Sequence, residues 1–167
     1  RITTTMSGFP DFTVPTTQEP FALTPPTTNS TAPIIYSSTN TAVATVDAST
    51  GSVTVVAAGT TSITASVLQN DYYTAGTITA TMTVTKADAT IIDFTDITKI
   101  FGDDDFTLTG TSSSTGAISY TVSDTTVATV SGNTITIVGA GTTSITLTQA
   151  SDANYNSATA TITLTVN

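Results

Sequence analysis

The stretch Val43–Thr64, VATVDASTGSVTVVAAGTTSIT, returns as VATVSGNTITIVGAGTTSIT over Val127–Thr146. In both copies apolar residues alternate with Thr or Ser. A period of two in β-branched residues, bounded by Gly, Asn, Asp or Ser, predicts short half-buried strands. The copies stand 84 residues apart at Val43 and Val127, and 82 apart at Gly59 and Gly141. The difference of two falls between DASTGS and SGN, where a hairpin turn absorbs it.

Outward from this stretch the correspondence continues, with Tyr36 against Tyr120, Tyr73 against Tyr155 and Met82 against Leu164. Upstream, DFT at Asp11 aligns with DFT at Asp93, and PFALT at Pro20 with DFTLT at Asp105. Self-similarity at this period predicts two units, 1–86 and 87–167. Thr3, Thr85 and Asn167 share one phase of the repeat, and the chain opens on Arg1 rather than Met. The expectation is a processed or excised pair from a longer array, or a subunit whose ends meet its neighbours' ends. The junction VTKADATIIDF contains no Gly or Pro, which predicts a stiff connection.

No helical period competes with the alternation. In the second unit, strands are expected near 89–95, 105–109, 117–122, 127–130, 134–138, 142–149 and 158–166. Seven short strands with regular turns predict an all-β fold, two tandem immunoglobulin-like antiparallel β-sandwiches. The inward positions of the second would be Ile118, Tyr120, Val122, Val127, Val130, Ile135, Ile137, Ile145, Leu147, Ile162, Leu164 and Val166.

Composition narrows the function classes. Of 167 residues only 9% are charged, 12 acids against 3 bases, so the net charge of −9 reflects scarcity of Lys and Arg. Such a surface has no basic patch to release counterions from a phosphate backbone, and it repels anionic lipid, so nucleic acid is not an expected partner. Solubility falls to hydroxyls, 45 Thr and 17 Ser. With no Cys there is no disulfide and no thiolate zinc site, and no apolar run reaches the ~18 residues of a membrane span.

The second unit carries a family resemblance. Its KIFGD opening at Lys99, its VATVSGNTITIVGAGTTSITLTQ and its closing DANYNSA resemble bacterial Ig-like repeats strung in tandem in very large surface and secreted proteins. The first unit keeps the central motif but has TTQEPFALTPP for the opening and NDYYTAG for the close. The resemblance implies adhesins, stalks, fibres and accessory modules of secreted enzymes, with no activity of the repeat's own.

Candidate sites are few. The chain has neither His nor Cys, and Glu19 is its sole Glu, so the usual bases and nucleophiles are missing and no enzyme is expected. Asp103, Asp104 and Asp105 concentrate oxygen ligands in one turn and are the candidates for a structural calcium, although the spacing is not that of a calcium loop and a solvated acidic turn is the simpler reading. Lys86 and Lys99 raise an intramolecular Lys–Asn crosslink, which would require a buried acid beside them. Tyr72, Tyr73 and Tyr155 precede the last strand of each unit, where an aromatic covers the sandwich edge and its hydroxyl can tie down a loop; Tyr72 is the better exposed candidate.

Asn29 opens an N-linked sequon, and Thr27, Thr28, Ser30 and Thr31 around it lie among prolines, the composition of O-glycosylated stalks. Thr79, Thr81 and Thr83 form an outward row that a sugar coat would mask. The expected role is a non-catalytic structural repeat of an extracellular or cell-surface bacterial fibre, filament or adhesion protein. Its expected partners are copies of itself and attached glycans, with no cofactor. The alternatives are a glycan- or host-binding adhesin module, or a spacer in a secreted enzyme or phage tail protein.

Overall fold

The computed structural model describes residues 1–167, which form eighteen strands and no helix. The chain divides into two compact units, Arg1–Ala87 and Asp88–Asn167. In unit 1 the strands are β1 (Met6–Ser7), β2 (Phe12–Pro15), β3 (Phe21–Ala22), β4 (Thr27–Thr28), β5 (Ile34–Ser38), β6 (Ala44–Val46), β7 (Ser52–Val55), β8 (Gly59–Val67) and β9 (Gly76–Thr85). They make one sheet of order β2-β9-β8-β5, one of order β3-β7-β6, and the short pair β1-β4.

Unit 2 repeats this arrangement with β10 (Ile91–Ile92), β11 (Ile97–Lys99), β12 (Phe106–Thr107), β13 (Thr111–Ser112), β14 (Ile118–Val122), β15 (Ala128–Ser131), β16 (Thr134–Ile137), β17 (Gly141–Gln149) and β18 (Ala158–Val166). Its sheets run β11-β18-β17-β14, β12-β16-β15 and β10-β13.

Alternation decides which side of each strand is buried. Along β8 the inward set is Thr61, Ile63, Ala65 and Val67, and along β17 it is Thr143, Ile145, Leu147 and Gln149. Thr residues between them face outward, because successive side chains of a strand point to opposite faces. Each unit has its own core, drawing on both of its larger sheets. One gathers Tyr36, Val53, Ile63, Met82 and Val84, and the other gathers Leu108, Ile135, Ile145, Leu164 and Val166.

Four expectations are corrected. The sandwiches are not wholly antiparallel: β2 pairs with β9, and β11 with β18, in parallel. The strand expected over 89–95 is broken. Asp93 takes a left-handed φ of 58°, so Ile91–Ile92 pairs with β13 and the chain turns before β11 joins β18. The partner of Asp11 is Asp96 rather than Asp93, an offset of 85, because Asp11 Oδ1 accepts the Thr81 N–H and Asp96 Oδ1 accepts the Thr163 N–H. Ile118, expected in the core, is 38% exposed; it opens the edge strand β14 opposite Gln149, whose fully buried side chain holds the inner position.

A device shared by both units fixes the β5–β6 corner and its counterpart. The second Thr of GTTSIT is buried, and its Oγ1 accepts a backbone N–H, Asn40 to Thr61 at 2.9 Å and Asp124 to Thr143 at 2.9 Å. Thr143→Val keeps the shape but leaves that donor unpaired, and it is expected to lower stability by about 1–3 kcal/mol, whereas Thr143→Ser retains most of it. Urea midpoints of the two variants check this.

Candidate functional site

Four kinds of candidate were expected to carry function, and the structure places each. Asp103, Asp104 and Asp105 are all exposed in the turn between β11 and β12. Asp103 Oδ2 accepts the Ile100 N–H at 3.0 Å, and Asp105 Oδ2 accepts the Thr136 hydroxyl at 3.0 Å. Asp103 therefore closes the turn and Asp105 ties it to β16, and no three carboxylates converge anywhere in the chain. Asp124 and Asp152 serve other loops: Asp124 Oδ1 accepts from Thr126, and Asp152 binds the Ser114–Thr115 segment.

The sequon asparagine is committed to the fold. Asn29 Oδ1 accepts the Thr5 N–H and its Nδ2 donates to Thr3 O, so the side chain staples the N-terminal segment beside the β1–β4 pair. Thr27 Oγ1 donates to Ser7 O, and Thr28 Oγ1 accepts the Ser30 N–H. Thr31 is exposed, whereas Thr28 and Ser30 are half-buried. On β9 Thr79 and Thr81 are exposed and Thr83 is half-buried. The outward row is thus available at its first two hydroxyls.

Lys99 holds its ammonium 4.8 Å from the centre of the Phe106 ring, a cation–π contact. Lys86 is exposed, and the buried polar side chains are Thr61, Thr143 and Gln149, none of them an acid. The crosslinking chemistry therefore lacks its buried carboxylate. Tyr73 and Tyr155 are half-buried, and their loops are tied through the backbone. Asn70 Oδ1 accepts the N–H groups of Tyr72 and Tyr73, and Asp152 Oδ1 those of Asn154 and Tyr155. The tyrosine hydroxyl that does tie a loop is that of Tyr120, donating to Gly110 O. Tyr72 is exposed, as expected.

Two features lay beyond the reach of sequence reading. The first is an apolar cleft of about 600 Å³ in unit 1, bordered by Phe9, Pro10, Phe12, Phe21 and Leu23, with Phe12 and Phe21 meeting edge to face. Phenylalanines scattered over thirteen residues, 9 to 21, of weakly patterned chain gave no signal of convergence. The second is the set of aspartate-capped turns. Thr50 and Ser49 donate both backbone and hydroxyl hydrogens to Asp47 Oδ1, which lowers its pKa to about 2. In unit 2 the Ser114 hydroxyl, with further donors around it, holds the Asp152 carboxyl well below the usual carboxylate range.

These shifts have a defined sign. A carboxyl whose folded pKa is depressed contributes stability that is present above the unfolded value, roughly 3.9, and is lost as pH falls through the folded value. Unit 1 is therefore expected to weaken between pH ~4 and ~2, and Asp47→Asn to flatten that slope. Amide exchange at β7 across this range checks it.

Residues 14–75 match the family model of the bacterial Ig-like domain (group 2). The match lies in the first unit and spans VATVDASTGSVTVVAAGTTSIT, the stretch whose counterpart in the second unit supports the resemblance there. No protein of curated function matches the chain in sequence. Among solved structures the chain is similar to Drosophila N-cadherin EC1-4 at 13% identity and TM-score 0.46, covering all of this chain and 50% of that one. It is also similar to human protocadherin-24 EC1-2, at 12% identity and TM-score 0.42, over 98% and 97% of the two chains. A third is the S-layer protein SbsC, domains 4-9, at 21% identity and TM-score 0.39, over 89% of this chain and 24% of that one. The chain thus spans half the length of the N-cadherin fragment and about a quarter of the SbsC fragment. No helix is long and apolar enough to cross a membrane.

Proposed function

We propose that the chain is a non-catalytic structural segment of a bacterial surface or secreted protein, built of two tandem Ig-like sandwiches and carrying sugars on its outward hydroxyls. The observation that carries this reading is the duplication itself: two units, each with its own core, spend their polar side chains on turns and corners rather than on a convergent site. The bacterial Ig-like match of residues 14–75 supports it. Its mechanism is mechanical. Paired strands carry load along β8–β9 and β17–β18, and a hydroxyl surface keeps strand edges soluble where charge is scarce.

The test is made on native material. Intact bacteria treated with a non-permeant labelling reagent should yield labelled chain, and peptides of the native protein that contain Thr79, Thr81 or the Thr27–Thr31 segment should exceed their bare masses. Label confined to lysed cells contradicts the location, and a bare mass contradicts the sugar coat.

The apolar cleft favours a second reading, an adhesive module with an apolar or aromatic ligand. Its observation is local to unit 1. Retention of the chain on a host surface or glycan array, abolished by Phe12→Ala with Phe21→Ala, would support it.

A further inference from the structure

Gln149 ends β17 with its side chain 0% exposed, and its Oε1 is a buried oxygen that no donor reaches. The amide is oriented from its other side: Nε2 donates to Ser114 Oγ at 2.9 Å and to Ala150 O. Gly116 permits this approach, because a Cβ there would collide with both Nε2 and Ala150 O. Ser114 is in turn a polarised hydroxyl. It donates to Asp152 Oδ2 at 2.7 Å, while its oxygen also accepts the Gly116 N–H at 3.1 Å. A carboxylate, a hydroxyl and a carboxamide thus stand in a row, in the order that acyl transfer uses them: base, nucleophile, electrophile.

The repeat shows that this row is particular to unit 2. Ser30 is the counterpart of Ser114: its N–H donates to Thr28 Oγ1 and its Oγ accepts from Ala32, as Ser114 does with Ser112 and Gly116. Its two companions differ. Val67, opposite Ile34, holds the place of Gln149, opposite Ile118, and Asn70 holds the place of Asp152. Asn70 caps the N–H groups of Tyr72 and Tyr73 as Asp152 caps those of Asn154 and Tyr155, so the turn itself requires no acid. The amide and the acid enter unit 2 together, around a serine that both units possess.

We infer that Ser114 and Gln149 join in an intramolecular ester. A partial turn of the amide about χ3, a soft torsion, withdraws Nε2 from Ser114 Oγ and presents Cδ to the lone pair it frees. The Oγ–Cδ bond forms and the Cδ–Nε2 bond breaks. The serine proton passes by way of Asp152 to the departing nitrogen, which leaves as ammonia and takes a further proton from water. Asp152 already accepts several hydrogen bonds and is a weak base. The step is therefore a slow single turnover whose main help is positioning, for which effective molarities reach about 10⁵–10⁸ M. Escape of ammonium into solvent drives it forward. An ester carbonyl is a weaker acceptor than an amide, so leaving it buried without a donor costs less, and the same burial keeps water from the product.

The bond ties the loop between β13 and β14 to the end of β17, at the edge where Ile118 pairs with Gln149. It goes beyond the structural-repeat reading, and its test does not depend on where the chain is displayed.

The test is a mass. The purified full chain should weigh one ammonia less than its sequence requires, with the loss in unit 2 alone. Cleavage before Asp105, Asp124 and Asp152 separates Ser114 from Gln149 in sequence. The two peptides should nevertheless stay joined, and they should part on treatment with hydroxylamine, which cleaves esters. Ser114→Ala and Gln149→Glu chains should weigh what their sequences require, whereas Ser114→Thr, which keeps the hydroxyl, should still lose ammonia. Asp152→Asn, which keeps the cap as Asn70 does in unit 1, should form the link at least about tenfold more slowly. A wild-type chain of full mass with separate peptides overturns the proposal, and so does a Ser114→Ala chain that still lacks one ammonia.

Discussion

Ile145→Ala lowers the stability of unit 2 by about 2–5 kcal/mol, the range for deleting a buried aliphatic side chain and leaving a cavity. Ile145 is 0% exposed and sits in the middle of β17, opposite Val122 of β14 and Ile162 of β18. It packs in the cluster with Leu108, Ile135 and Leu164, which reach it from both larger sheets of the unit. Because strands on three sides fix its surroundings, the cavity has little room to collapse, which places the loss in the upper part of the range. Urea unfolding followed at unit 2 should show a lowered midpoint with an unchanged slope, since the surface exposed on unfolding is the same. Ile63→Ala is the matching change in unit 1, at the same place in the first GTTSIT copy.

Gly141→Ala is the second large effect. Gly141 has a φ of 146°, a conformation that side chains rarely adopt, and a Cβ there would stand 2.9 Å from Val127 Cγ2. Gly59 repeats the arrangement against Val43, with φ 149° and 2.8 Å. Backbone strain of about 1–3 kcal/mol therefore adds to overpacking of similar size. The two parts can be separated. Val127→Ala removes the methyl group that is struck, so in a double-mutant cycle it should return about 0.5–3 kcal/mol to the Gly141→Ala chain while the strain persists. Strict additivity would mean that the valine is not what the new methyl group meets.

How much of this was legible follows from what each feature depends on. Strands β8, β9, β17 and β18 are long and strictly alternating, and their buried faces could be read directly from Ile63, Met82, Ile145 and Leu164. The edge elements could not. β10 and β11 are two and three residues long, and the break between them depends on the left-handed Asp93, which no periodicity announces. The DFT match at Asp93 misled because identical letters outweighed role: Asp96 makes the bond that Asp11 makes, without sharing its neighbours. Ile118 was misplaced because alternation gives the face of a strand but not where the opposing layer stops. Gln149 was overlooked for the same reason. It stands where unit 1 has Val67, and it fills the inner position with an amide whose Oε1 has no partner while Nε2 donates to Ser114 Oγ. Thr61 and Thr143 look like any other Thr, and only the corner they cap reveals why they are buried.

Two separate cores, rather than one, hold this chain together. Amide hydrogen exchange on the full chain, wild type against Ile145→Ala, tests it most directly. Protection should fall along β14, β17 and β18 while β5, β8 and β9 exchange as before. A parallel loss of protection in both units would show a single fused core and contradict it.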